Sequence, residues 1–304
     1  MPHLYPTAAA LLLPFLLAAQ AVAPPPPPTA QPPRYIDRAD SLENGLTYHN
    51  DTTVALAGGR AKLTVPTGYR YLDTRDAATV LVDLWGNPPV AAGGSLGLLV
   101  PDGVSVSHPA CYAIHLLYTE DGHVRDADAS DIDYGTLLQR LEEEVTAENA
   151  ARAAAGFGPV QLIGWAVPPH YDPAGHHLHW AKELYFAGED NYTVNYNVRF
   201  LSRRGYLTMS IVGRMKDLPR INSHLDDLLA SVRFTPGERY ADFDPSTDKE
   251  AEYGLVRLVS GADSGGDGLL ATLAWFFSGW KLAVIGLIGI GVSLRSLIAP
   301  KTPF

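Results

Sequence analysis

The sequence predicts an α+β domain: an antiparallel β-sheet that includes a four-stranded meander, packed by helices and followed by one C-terminal transmembrane helix. Three observations predict it. The segments "VQLIGWAV", "HHLHWAKELYF", "YTVNYNVRFL" and "YLTMSIV" follow one another across short turns and alternate apolar with polar residues, the mark of paired strands. Stripes at helical spacing flank them, at Ala77–Leu84, Leu137–Val145 and Ile221–Val232. The third is the segment Leu269–Leu294, whose one charge is Lys281.

From the start of the chain, residues 1–23 read as a signal peptide. The run "LYPTAAALLLPFLLAAQAVA" is of signal-peptide length, and both Ala19-Gln20-Ala21 and Ala21-Val22-Ala23 fit the small-x-small cleavage rule. Pro14 interrupts it as a spanning helix. Residues 24–33, "PPPPPTAQPP", form an extended polyproline spacer. The domain proper covers 34–260. In it "ALAGGRAKLTVPTGYRYLD" reads as a hairpin turning at Gly58-Gly59. Asp73 or Thr74 caps a helix with Ala77, Val80, Leu81 and Leu84 on its stripe, stopped by "GNPP". "LGLLVPDG" and "CYAIHLLYTEDGHV" supply two strands, the second turning at Glu120-Asp121-Gly122. Asp131 or Asp133 then caps a helix that buries Leu137, Leu138, Leu141 and Val145 and solvates Glu142 to Glu144.

In the meander, matching the apolar residues of each strand gathers Ile163, Trp165, Leu178, Trp180, Leu184, Phe186, Tyr192, Val194, Tyr196, Val198, Phe200, Leu207, Met209 and Ile211 on one face. At about 1.5–3 kcal/mol per large apolar side chain, that face is the core. "PRINSHLDDLLASV" covers it as a helix, and "STDKEAEYGLVRLV" forms a last one. A Gly-rich link, 261–268, leads to the anchor, 269–298, where Trp275–Leu294 gives the roughly 20 apolar residues a span needs. Arg295 and Lys301 favour a cytoplasmic tail, 299–304. The expected layout is a domain outside the cytoplasm, in the periplasm or cell envelope.

All 33 acidic residues lie between the two apolar ends, with 20 of the 23 basic ones, so this segment carries −13. That argues against nucleic acid and against electrostatic docking on anionic lipid. The single cysteine, Cys111, excludes an internal disulfide, and the domain rests on its core.

Several blocks resemble a known family. "VLVDLWGNPP", "GWAVPPHYD", "HWAKEL", "NYNVRFLSRRGYL" and "RYADFDPSTDKEAEYG" look like the bacterial membrane-anchored domain of unknown function 2167, in that family's order. The resemblance implies a bacterial envelope protein with this signal, domain and anchor, and it implies no activity. The order of strands and helices also resembles the PsbP-like sandwich of a photosystem accessory protein.

Two groups of residues carry possible chemistry. "PPHYDPAGHHLH" holds His170, Asp172, His177 and His179, types that ligate zinc. Their spacing is strand-like, and ordinary hairpin histidines compete with a metal-dependent envelope hydrolase. The second group lies on the polar side of the meander. The apolar-matched register sets Phe186 opposite Tyr192, His179 beside Arg199, Glu183 beside Asn195 and Ala181 beside Asn197, with Thr208 and Ser210 on the next strand. His179, Glu183, Asn195, Asn197 and Arg199 would then form a solvated patch suited to a polar ligand or peptide, against the competing reading of an ordinary polar sheet face.

No nucleophile elbow, Walker loop or dinucleotide fingerprint is present, so no cofactor is expected. Cys111 and His115, four apart on one strand, are too distant to act as nucleophile and base. The reading is a non-enzymatic envelope protein. Its expected partners are the membrane, through the C-terminal helix, and a protein of the envelope.

Overall fold

The computed structural model describes residues 35–87, 89–108, 110–154 and 158–260. The predicted signal peptide, proline spacer, glycine-rich link, anchor and tail lie outside these residues. Among those described, no helix is long and apolar enough to cross a membrane. The chain opens with α1 (Tyr35–Asn44), which the sequence pattern did not announce. It continues through β1 (Thr53–Leu56), β2 (Ala61–Thr64), β3 (Tyr69–Leu72) and α2 (Thr74–Ala78), which runs into a π-helical turn, Thr79–Leu84. Next come β4 (Ser95–Pro101), β5 (Ala113–Thr119), β6 (His123–Arg125) and α3 (Tyr134–Ala154). The meander is β7 (Val160–Asp172), β8 (His177–Phe186), β9 (Thr193–Leu201) and β10 (Tyr206–Arg214). The chain closes with α4 (Leu218–Ser223), α5 (Leu225–Ala230), β11 (Val232–Phe234), β12 (Glu250–Gly254) and α6 (Leu255–Ser260).

Local chemistry explains the predicted starts. The Asp73 carboxylate accepts from the Asp76 amide at 2.9 Å, and Asp133 accepts from the Gly135 and Thr136 amides, so both helices begin on the side chains proposed for them. The hairpin at Gly58-Gly59 forms between β1 and β2. The Glu120-Asp121-Gly122 turn needs its glycine: φ there is +109°, and a Cβ would lie 2.9 Å from the backbone of residues 249–251.

That crowding marks a correction. "STDKEAEYG" is not helical; Glu250–Gly254 is β12, paired in parallel with β6, and only Leu255–Ser260 turns into helix. Likewise "PRINSHLDDLLASV" breaks at His224 into α4 and α5, and Val232 starts β11.

The architecture is α+β with antiparallel sheets. Seven strands pair in the order β3-β4-β5-β10-β9-β8-β7, every neighbour antiparallel, so the meander is one side of a larger sheet. Both faces are covered. On the first face Val194, Tyr196, Val198, Phe200, Leu207, Met209, Ile211, Ile114 and Leu116 pack beneath the sheet β1-β2-β11 and helices α4 and α5, which contribute Leu63, Val232, Ile221 and Leu228. On the second face lie two separate apolar clusters. One joins Leu162, Leu178, Trp180, Leu184 and Phe186 to Leu137, Leu141 and Val145 of α3. The other joins Leu72, Leu98 and Val100 to Ala77, Val80, Leu81 and Leu84.

The predicted single core face is therefore wrong in one respect. The apolar residues of β8 face one way and those of β9 and β10 face the other. Leu178 sits opposite Arg199 and Trp180 opposite Asn197, one residue away from the apolar-matched register. Phe200 does pair with Leu207, as expected, but the β8–β9 ladder ends at Leu184 opposite Thr193, and Tyr192 lies against the Tyr185 ring rather than opposite Phe186. Ile163 and Tyr192, assigned to the core, are 44 % and 46 % exposed. Ile163 falls in a register shift of β7 between Leu162 and Gly164, which turns Trp165 onto the second face and leaves Ile163 outside.

Candidate functional site

A one-residue change of register moves every side chain of a strand to the other face. It divides the patch expected from the sequence. His179 and Glu183 pair with Val198 and Val194 and project on the first face, while Asn195, Asn197 and Arg199 project on the second. His179 is thus not beside Arg199, nor Glu183 beside Asn195. The second correction concerns solvent: Asn195 and Asn197 are buried, not solvated.

What the register assembles instead is a polar row across the second face, between its two apolar clusters. Trp180, Asn197, Ser210 and His115 lie opposite one another on four successive strands, ending at Leu98. Lys182 pairs with Asn195 on one side of that line, and Arg199 pairs with Thr208 on the other. Lys182, Asn195, Asn197, Ser210, Thr208 and His115 are all buried, Lys182 to 1 % exposure; Arg199 alone of the row stays partly in solvent. The row therefore has a wet end at Arg199 and a dry end at Lys182.

Its interactions are specific. Asn197 Nδ2 donates to Asn195 Oδ1 at 2.7 Å, and an Arg199 terminal nitrogen donates to Thr208 Oγ1 at 2.6 Å. The guanidinium lies 5.5 Å from the Trp180 ring and 5.3 Å from that of Tyr206, positions at which a cation is attracted to an aromatic face. Two N–H groups, Trp180 Nε1 and Arg199 Nε, are buried with no hydrogen-bond partner among the described residues. Buried donors are ordinarily paired, because an unmade bond there costs about 1–3 kcal/mol. Above Lys182, α3 brings Glu144. Burial raises that carboxyl above its ordinary range, and the charges of Arg140 and Lys182 pull it back. Burial also holds the His115 imidazole down at about 4, so it is neutral at pH 7.

The histidine group occupies the first face at the opposite end of β8. Bulges in β7 set His170 opposite His179 and Asp172 opposite His177. The His179 ring lies 5.4 Å from that of His170 and 6.4 Å from that of His177. Its Nδ1 meets the Tyr196 hydroxyl at 3.0 Å, and His177 Nε2 meets Asp172 Oδ2 at 3.3 Å. Burial, then the neighbouring imidazoles His177 and His170, lowers His179 to about 4. Burial lowers His177 as well, against the pull of Asp172. The four residues meet, yet among the described residues no three His, Cys, Asp or Glu side chains are placed to hold one metal ion.

Other expectations resolve simply. Cys111 is a buried thiol, 3.4 Å from the Tyr112 carbonyl oxygen, that precedes β5 rather than lying in it, within the cluster around Leu98. Two aspartates elsewhere serve the fold: Asp128 accepts from the Leu255 amide at the start of α6, and Asp248 grips Arg203 at 2.6 and 3.0 Å.

Lys182 was missed from the sequence, although a signal existed. It shares the parity of Trp180 and Leu184, so a charge stood in the apolar phase of a buried strand.

A family model described as "Protein of unknown function (DUF2167)" matches residues 48–291. No curated protein matches. Among solved structures the chain is similar to the solution structure of cyanobacterial PsbP (CyanoP) from Synechocystis sp. PCC 6803. The identity is 11 %, over 62 % of this chain and 92 % of that one, with a TM-score of 0.34.

Proposed function

Because the chain belongs to the family described as Protein of unknown function (DUF2167), we propose a role from its own geometry: a non-enzymatic accessory domain that binds a partner through the polar row of the second sheet face. In this reading the domain is displayed outside the cytoplasm, with a signal peptide removed and residues 269–298 as its membrane anchor. The apolar ends of the sequence support that layout, and an envelope protein or a polar envelope ligand is the partner.

One observation carries the binding reading. Lys182, Asn195, Asn197, Ser210, Thr208 and Arg199 form a continuous polar row inside a sheet face that is otherwise filled with apolar side chains, and the row reaches solvent at Arg199. Burying polar groups weakens a core unless they are matched, and a row this long gives stability up for something else. A rigid sheet holds these groups in fixed positions, which suits recognition.

The test is photo-crosslinking of the full-length protein in its native membrane. Wild type should give a discrete adduct that Arg199→Met and Asn195→Leu/Asn197→Leu lose while remaining folded at the assay temperature. Turnover of any envelope substrate by the purified protein, abolished by His179→Ala or Glu183→Ala, sinks the reading and restores a catalytic one.

A further inference from the structure

Within that row, and resting on the binding reading above, the geometry points to a carboxylate as the ligand group, held between the Trp180 indole N–H and the Arg199 Nε–H. The two donors belong to residues that are cross-strand diagonal neighbours, 180 and 199, on the same face of the same pair of strands. The guanidinium carbon lies 5.5 Å from the centre of the Trp180 ring, so the two side chains adjoin and both donors belong to one small polar locus. Both N–H groups are buried and have no acceptor among the described residues, and Trp180 is only 2 % exposed. The rest of the guanidinium is already fixed: one terminal nitrogen donates to Thr208 Oγ1, and the Trp180 and Tyr206 rings flank the group. Arg199 is thus held in place with its Nε–H still unused.

The ligand's charge follows from chemistry. Two N–H donors ask for acceptor oxygens, and a guanidinium strengthens a bond to an anionic one. A carboxylate offers two oxygens in one plane and a single negative charge. A phosphate would bring a second charge to a segment that already carries −13, and Lys182, the other cation of the row, has Glu144 near it. A monoanion is therefore favoured over a dianion. The partial exposure of Arg199 gives the entry side.

The experiment uses the full-length chain in lipid nanodiscs, labelled with nitrogen-15 at its five tryptophans, with the Trp180 indole signal assigned through Trp180→Phe. The probes are sodium acetate, acetyl-Ala-Ala-Ala with a free C-terminal carboxylate, the same tripeptide as its amide, and inorganic phosphate. The expected result is a saturable downfield shift of the Trp180 indole proton with acetate and with the free tripeptide. The amide should leave it unmoved. Arg199→Met should weaken the response about tenfold or more while the Trp85 and Trp165 signals keep their positions. Tighter binding of the tripeptide than of acetate identifies a peptide terminus as the source; equal binding identifies a small acid. A Trp180 signal indifferent to both carboxylates overturns the inference, as does an equal response to phosphate or to the amide. Failure here with a crosslinked adduct that still depends on Arg199 removes only the carboxylate. Success here with an adduct indifferent to Arg199 removes the partner-binding role and leaves the carboxylate site.

Discussion

The two faces of the seven-stranded sheet are made by the same strands and filled in opposite ways. On the first face, Ile114, Leu116, Val198, Leu207, Met209 and Ile211 form one unbroken apolar surface that a second sheet and two short helices seal. Its polar members, His177, His179 and Glu183, stand at its margin on β8. On the second face, a row of amides, hydroxyls and cations separates two apolar clusters. One face is organised for stability alone, and the other gives up part of its burial to keep polar groups in fixed places. Similar burial thus has different uses: Tyr196 and Lys182 are both almost fully inaccessible, but Tyr196 belongs to the apolar cluster of the first face, while Lys182 places an ammonium between Trp165 and Asn195 on the second.

Mutations can break or sharpen this contrast. The largest effects belong on the first face. Leu116→Ala and Ile211→Ala should each cost about 2–5 kcal/mol in urea denaturation, because both are fully buried. They should leave the crosslinked adduct intact wherever the protein is still folded. Costs below about 1 kcal/mol would remove the claim that this face is the main core.

Acid comes next, and it acts on both faces. His179 on the first and His115 on the second are held near 4 by burial, below the ordinary imidazole value of about 6.5. The unfolded chain therefore takes up these protons first as pH falls. Stability from the two imidazoles is complete above about pH 6.5 and is lost on descent through pH 4, by about 3 kcal/mol each. A series of thermal melts from pH 7.5 to 4 should show that fall, and His115→Gln or His179→Gln should flatten part of it. A flat profile in the wild type contradicts the burial of both.

The amide pair gives a smaller and more diagnostic effect. Asn197→Leu alone strands the Asn195 carbonyl oxygen and should cost about 1–3 kcal/mol. Asn195→Leu/Asn197→Leu, which removes both partners, should cost less than the single change while abolishing the adduct. If the double variant is the less stable of the two, the row is structural. The smallest effect is expected at the exposed His170: His170→Ala should change stability by no more than about 0.5 kcal/mol. Elemental analysis of the purified chain should find zinc below one equivalent per molecule. Stoichiometric zinc lost in His170→Ala would move the site to the first face.

Much of the fold was legible in the sequence. Asp73 and Asp133 announced their helices because a capping carboxylate acts within one turn, and Gly58-Gly59 announced a hairpin for an equally local reason. The four meander strands were legible from alternation alone. The failures were non-local. Glu250–Gly254 carries helix-compatible residues, yet it extends because β6 lies alongside with unpaired backbone to satisfy. Of the candidate site, Asn195, Asn197 and Arg199 were found, and they share a face; His179 and Glu183 were joined to them through a false register. Lys182 escapes that reading because the apolar-matched register puts it on the core side with Trp180 and Leu184, away from the polar patch.

By itself, then, the sequence determined the four meander strands, the starts of α2 and α3, and, outside the bulged β7, which residues share a side within a meander strand. Alternation has period two, and that is a property of one strand's backbone. Only the tertiary structure decided how the strands were phased against one another. Phase depends on what covers each face, and here both faces are covered, so apolar residues could lie on opposite sides of β8 and β9 without exposure to water. That one-residue offset set Asn195 and Asn197 in the interior beside Lys182 and Trp180, with Arg199 next to them at the edge of solvent.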